Sequence, residues 1–341
     1  MKMKGFVIRT VMVVMILAGS ASIVWSAGPL PKTLVFGTNT PGSLLYVTGA
    51  ALADVIQKNS PMKVEVLPQP ATSWYPMMES KEVDFGIVGG ADSFYAYLGK
   101  DMYAEPTKGK GYDIALILLG GPLQAGYFAA KDANINDLKD LKGKRVVTDY
   151  GSLLAANLTS RYYLANAGLS REDVIPVSVS NIAEAARAVK EGRADATINA
   201  VGAAVIEELN ITRPVRFLPV DTSPEAIARS RKVFPGVFVM ETKAGPAGVE
   251  VPTKMLAIPN YVFARGSLAE NAAYESIKAI WQNADQLPPY HASFRLWKRP
   301  GFVRPIAALP YHPGAIKWYK EQKVWTAEMD QCQKENLDLK K

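Results

Sequence analysis

Leu34-Val35-Phe36-Gly37-Thr38-Asn39-Thr40-Pro41-Gly42-Ser43-Leu44-Leu45-Tyr46, running on into Val47-Thr48-Gly49-Ala50-Ala51-Leu52-Ala53, reads as a short apolar strand, a turn rich in Gly, Thr and Pro, and a helix. A helix entered this way aims its unpaired first N–H groups at whatever lies above the strand end, which suits a small anion. The same alternation continues along the chain. β-rich runs at 33–37, 63–67, 84–88, 113–119, 126–130, 145–148, 174–178, 195–199, 215–219 and 257–264 are separated by helical patterns such as 46–58, 73–81, 153–167 and 182–191. That argues for an α/β fold with largely parallel sheets. Asn166-Ala167-Gly168-Leu169 and Glu191-Gly192 look like glycine C-caps, and Ser180-Asn181 followed by Glu184 resembles a capping box.

Two apolar strands have the look of crossings between domains. Tyr127 to Ala130 leads into the polar segment ending at Lys142, and Met255 to Ala264 carries the chain back. The expectation is two α/β lobes joined by two hinge-crossing strands, a hinged clamp with its cleft at the strand ends and a helical C-terminal tail. Its segments would be 1–27 as a signal peptide, 28–125 plus 262–341 as a discontinuous first lobe, and 126–261 as the second. Ligand sites at the carboxyl ends of strands follow from this layout.

Residues 1–27 have the parts of a secretory signal. Lys2, Lys4 and Arg9 form a basic start, Val11 to Ala18 an apolar centre, and Gly19 to Ser22 a run of small residues before a cleavage site near Ser26-Ala27. The apolar run is too short to span a bilayer comfortably. With its three basic residues removed, 36 basic groups face 32 acidic ones, a net of +4. So mild and scattered an excess speaks against nucleic acid as a partner. The one cysteine, Cys332, excludes an internal disulfide and is read as incidental. The expected location is the periplasm.

Catalysis finds little support. His291 and His312 both lie in the Pro-rich tail, and with Cys332 they cannot make a tetrahedral zinc site. No Gly-x-Ser-x-Gly elbow occurs, and the opening loop lacks both the Lys of a phosphate-binding loop and the spacing of a dinucleotide fingerprint. No catalytic residue, metal or cofactor is expected. His312-Pro313-Gly314 is read as the start of a tail helix.

Five segments together resemble the TAXI family of solute receptors of tripartite ATP-independent periplasmic (TRAP) transporters. They are Gly37-Thr38 to Ala53, Glu82-Val83-Asp84-Phe85-Gly86-Ile87-Val88, Asp137 to Val146, Gly192-Arg193-Ala194-Asp195-Ala196 through Ala203, and Tyr311-His312-Pro313-Gly314-Ala315-Ile316-Lys317-Trp318-Tyr319. The resemblance implies the two-lobed periplasmic-binding-protein (type II, Venus-flytrap) α/β fold, in a receptor that closes on a small, usually carboxylated solute and docks on a sodium-driven TRAP permease with fused small and large subunits. An ABC-importer receptor shares the clamp, and a sensing domain or periplasmic enzyme on the same fold is the reading from another class.

Departures from the family's pattern shape the expected pocket. Leu44 and Leu45 stand where relatives have Thr and Tyr, the second loop reads Ala71-Thr72-Ser73-Trp74-Tyr75, and Gly89, Gly90 and Ala91 precede Asp92 after the third strand. The second lobe's anion loop is reduced to Tyr150-Gly151-Ser152-Leu153-Leu154. The expectation is a carboxylate held by Ser152 and the helix starts after Gly42 and Gly151, with an apolar or aromatic body against Trp74, Tyr75 and Tyr150. Trp74 alternatively anchors a helix on the sheet, and Tyr46 alternatively belongs to the core. Thr38, Asn39 and Ser43 are turn formers as well as contacts. Ser73, Gly90 and Asn199 complete the set. Asp92 is read chiefly as a helix cap, Gly202 as permitting close backbone approach, and Arg161 as one half of an ion pair within its lobe.

Overall fold

The computed structural model describes residues 28–341 apart from Thr40, Gly42 and Ser152. The proposed signal segment, Gly42 and Ser152 therefore lie outside the described residues. The first lobe opens with β1 (Thr33–Gly37), α1 (Leu44–Lys58), β2 (Lys63–Leu67), α2 (Ala71–Glu79), β3 (Phe85–Gly89) and α3 (Gly90–Leu98). The long strand β4 (Ile114–Ala130) leads out of it. The second lobe holds β5 (Arg145–Asp149), α4 (Leu154–Asn166), β6 (Ile175–Ser178), α5 (Ile182–Lys190), β7 (Ala196–Ala200), α6 (Ala204–Thr212), β8 (Val215–Phe217), α7 (Pro224–Val233) and β9 (Phe238–Thr242). A second long strand, β10 (Thr253–Arg265), returns to the first lobe, where α8 (Glu270–Gln282), α9 (Pro313–Glu321) and α10 (Ala327–Asp338) form the tail.

The strands join in one sheet of order β2-β1-β3-β10-β4-β7-β5-β6, with β8 on β4 and β9 on β10. β1, β2 and β3 are parallel, as are β5, β6 and β7, so their carboxyl ends line up within each lobe. β4 and β10 run antiparallel and serve both lobes. The β-rich runs at 113–119 and 126–130 are one strand: β4 runs straight through Gly120-Gly121-Pro122 between them. Pro122 lies opposite Pro259, next to a shift in the β4–β10 register, where missing N–H donors disturb the ladder least. β9, for which no expectation was formed, is a largely half-buried run paired with β10.

Helix ends follow the local chemistry. Gly168 (φ +72°) and Gly192 (φ +71°) take the left-handed turn just past their helices. Asn181 Oδ1 accepts Glu184 N–H at 2.8 Å, and Glu184 Oε2 accepts the Ser180 N–H at 2.7 Å. His312 caps α9, its Nδ1 accepting Gly314 N–H at 3.2 Å.

Candidate functional site

Register places the two sets of strand ends against the same piece of hinge. Gly89, at the end of β3, lies opposite Asn260 on β10. Val201, just past β7, donates its N–H to Gln124 O at 3.0 Å, and Gln124 lies opposite Ala257. Three residues of β10 separate those points, about 10 Å at strand rise. The loops after β1, β3, β5 and β7 therefore border a cleft floored by β4 and β10.

The helices that start on these loops leave their first N–H groups largely unclaimed. α3, α4 and α6 begin on them after Gly89, Leu153 and Ala203, and α2 begins after Pro70 on the neighbouring loop that follows β2; none of the four makes a side-chain cap. Ser43 caps α1, accepting Tyr46 N–H at 3.1 Å. Away from these loops α5, α7, α9 and α10 are capped by Asn181, Ser223, His312 and Thr326, whereas α8 has no side-chain cap. No acidic residue stands in the first turn of α1, α2 or α4. Unfilled helix starts without a resident carboxylate make a field that favours an anion. Two exposed leucines flank them: Leu44 (37 % exposed) opens α1, and Leu153 (40 %) precedes α4.

Asn199 adds a directed donor. It is 4 % exposed, its Oδ1 accepts Ala200 N–H at 2.8 Å, and its Nδ2 is buried without a partner among the described residues. An amide left unpaired in this way costs on the order of 1–3 kcal/mol. Asn199 pairs with Gly126 of β4, at the second-lobe edge of the hinge.

The aromatic expectation is corrected. Trp74, Tyr75 and Tyr150 are fully buried, so none presents a ring face for stacking. The Trp74 indole lies over Gly37 and Gly86 and donates Nε1–H to Thr38 O at 2.8 Å and Gln69 O at 3.0 Å. Tyr75 stacks on Phe263 and Tyr112, and its hydroxyl donates to Asp92 Oδ1 at 3.2 Å. Tyr150 shares a 2.8 Å hydroxyl bond with Thr197 and accepts Ile198 N–H at 3.1 Å. Two further readings change. Asp92 is no cap, because Gly89 holds that position and Asp92 sits inside the first turn of α3, accepting from Tyr75 and from Tyr103 at 2.9 Å. Its desolvation pushes the carboxyl up to about 6 against the pull of those two hydroxyls. Arg161 pairs at 2.8 Å with Asp101, a first-lobe residue at φ +56°, so this ion pair spans the lobes.

The other candidates divide by environment. Thr38 is buried, its hydroxyl donating to Asn39 O and Leu67 O. Asn39, Ser43 and Tyr46 are half-buried beside the α1 start, Ser73 is exposed on α2, and Gly90 is buried near Tyr261 and Phe234. Gly151 (φ +59°) and Gly202 (φ +75°) are exposed at their turns, and a Cβ at Gly202 would meet open space, so no close backbone approach accounts for that glycine. Asp149 and Asn157, which the sequence did not single out, hold the Tyr150–Gly151 turn: Asn157 Oδ1 accepts Tyr150 N–H at 2.9 Å and Asp149 Oδ1 accepts Gly151 N–H at 3.0 Å. Their only signal was a carboxylate and an amide flanking a glycine turn. Among the described residues no cluster of His, Cys, Asp and Glu could hold a metal, and no helix is long and apolar enough to cross a membrane.

Two α/β lobes on shared hinge strands, with helix starts bordering the gap, define the two-lobed periplasmic-binding-protein architecture. Solved proteins share it. A periplasmic sulfonate-binding protein of a putative sulfonate ABC transporter from Methylobacillus flagellatus superposes with a TM-score of 0.50 at 16% identity, over 90% of this chain and 95% of that one. A TctC solute-binding protein from Polaromonas gives 0.50 at 15% identity over 90% and 97%. PhnD1 from Prochlorococcus marinus, in complex with methylphosphonate, gives 0.50 at 14% identity over 86% and 97%. Residues 36–322 match the NMT1-like family, and the chain belongs to that family.

Proposed function

We propose that this protein is an extracytoplasmic solute receptor that binds a small organic anion between its lobes and delivers it to a membrane importer. The observation that carries this reading is the set of uncapped helix starts bordering one hinge, joined by the unpartnered Nδ2 of Asn199. The exposed Leu44 and Leu153 favour a solute with an apolar body beside its charged head. Two of the three structural neighbours, the sulfonate-binding protein and PhnD1 in complex with methylphosphonate, support an oxyanion head, and the first supports an ABC importer as the membrane partner. A carboxylate solute passed to a TRAP permease is the second reading, carried by the five segments that resemble TAXI receptors.

Thermal shift and calorimetry on ligand-stripped protein, with alkyl and aryl sulfonates, phosphonates and carboxylates, test this. A solute that binds only the folded state at about 100 times its Kd adds about 2.7 kcal/mol of stability. Asn199→Leu should weaken the best solute about tenfold or more, as expected for a lost hydrogen bond to a charged group. If no anion in the series raises the melting temperature, the receptor reading fails. A preference for carboxylates over sulfonates and phosphonates would favour the TRAP assignment.

A further inference from the structure

A second cavity, of about 240 Å³, lies on the hinge and is lined by none of the candidate residues above. Its floor is Leu119 and Pro122 of β4 with Pro259 of β10. The second lobe contributes Phe238 and Met240 of β9, and the first-lobe tail contributes Trp297 and Phe302. Trp297 reaches this position because Gly120 and Gly121 have no side chains: a Cβ on either would come within 2.5 Å of the indole. The walls are thus apolar and come from both lobes.

The charged groups at the cavity are of one sign. Lys298 and Arg304 line it and no acidic residue does. Both are exposed, and among the described residues neither forms an ion pair; the Arg304 guanidinium rests 5.1 Å above the Phe238 ring. Apolar walls alone would suit any small hydrophobe. Two unpaired cations at the same opening select a molecule with an apolar body and an anionic head. The space exceeds the roughly 150 Å³ known to admit benzene, enough for an aryl ring or a medium alkyl chain.

We infer that this hinge cavity is a second ligand site, for an amphipathic organic anion whose apolar part packs on Trp297 and Phe238 and whose head meets Arg304 and Lys298. Because its walls belong to both lobes, an occupant binds one lobe arrangement better than another and shifts the equilibrium between them. The site is independent of the solute assigned to the cleft.

The test is calorimetric titration with octanoate, with octanol as its uncharged counterpart, on wild type, on the double variant Lys298→Gln/Arg304→Gln, on Gly301→Leu and on Asn199→Leu. Gly301 lines the cavity and a Cβ there meets no atom within 4 Å, so a leucine adds bulk at the cavity wall with no clash at its Cβ. The octanoate event that Gly301→Leu removes should be equally strong in wild type and Asn199→Leu. The charge variant should weaken it about tenfold, and octanol should bind about as weakly to wild type as octanoate does to that variant. Gly301→Leu should remove the hinge event while the melting temperature stays within a few degrees of wild type. No octanoate binding, binding lost in Asn199→Leu but kept in the charge variant, or equal binding of octanol would each overturn the inference. None of these outcomes touches the cleft reading, which stands on the anion series and Asn199→Leu.

Discussion

The placement of Trp74 has a consequence that can be measured directly. Gly37 and Gly86 are cross-strand partners on β1 and β3 and together form the flat surface under the indole. A Cβ at position 86 would stand 2.5 Å from Cη2 and Cζ3 of Trp74, and one at position 37 would stand 2.7 Å from Cδ2. Carbon atoms in contact prefer about 3.5–4.0 Å. The ring cannot swing away freely, because Nε1 donates to two carbonyls and its face meets Phe263 and Tyr75. Gly86→Ala should therefore destabilise the protein by about 1–3 kcal/mol, the range for overpacking, even though alanine is the better strand residue by up to about 1 kcal/mol. Guanidinium unfolding gives the number. Trp74→Leu alone should cost about 2–4 kcal/mol through lost packing. In the double variant the clash is gone, so the sum of the single losses should exceed the measured loss by about 1 kcal/mol or more. Strict additivity, or a neutral Gly86→Ala, would refute the seat. A Trp74→Leu variant of normal stability and weakened solute binding would return this ring to the cleft.

Two buried groups should give opposing pH dependences. Asp92, held near 6 when folded, keeps its proton where the unfolded chain has lost it, so its contribution falls as pH rises from about 4 to 6. His312 is held near 4 by burial, so its contribution rises with pH from about 4 to 6.5 as the unfolded chain gives up its proton. The wild-type profile should be nearly flat across this window, Asp92→Asn should slope upward and His312→Asn downward, each by about 1–3 kcal/mol in urea titrations, and parallel profiles would contradict this. Asp101→Asn keeps a residue that tolerates the left-handed backbone but removes the ion pair to Arg161. It should leave global stability within about 1 kcal/mol, as for an exposed pair, and broaden the lobe-to-lobe distance distribution seen with spin labels. An unchanged distribution would remove this pair from the forces holding the lobes together.

Local chemistry made much of the fold legible. Parallel strands follow from the alternation of apolar runs and helical patterns, and the turns at Gly168, Gly192 and Asn181 follow from what each residue does to its own backbone. The runs at 113–119 and 126–130 join into one strand through Gly120-Gly121-Pro122 because a neighbouring strand carries its own proline opposite and an indole fills the space left by the glycines. The ion pair of Arg161 was expected within its own lobe and instead reaches Asp101 of the other, since nothing in a helix position says which lobe faces it.

The aromatic residues show why the site itself was harder to read. Trp74, Tyr75 and Tyr150 sit in or beside loops that border the cleft, yet a loop position does not fix the direction of a side chain. Direction is decided by cavities elsewhere, here the space above two paired glycines and the space around Phe263. The glycines at 37 and 86 fall within segments read first for their resemblance to a receptor family, and in the structure both make room for a ring. What the loops give the cleft is chiefly backbone: helix starts at α2, α3, α4 and α6 that no side chain caps. On the proposed reading, specificity for one anion over another would rest on the few side chains with spare bonding capacity there, and the unpartnered Nδ2 makes Asn199 the first of them to test against matched sulfonates, phosphonates and carboxylates.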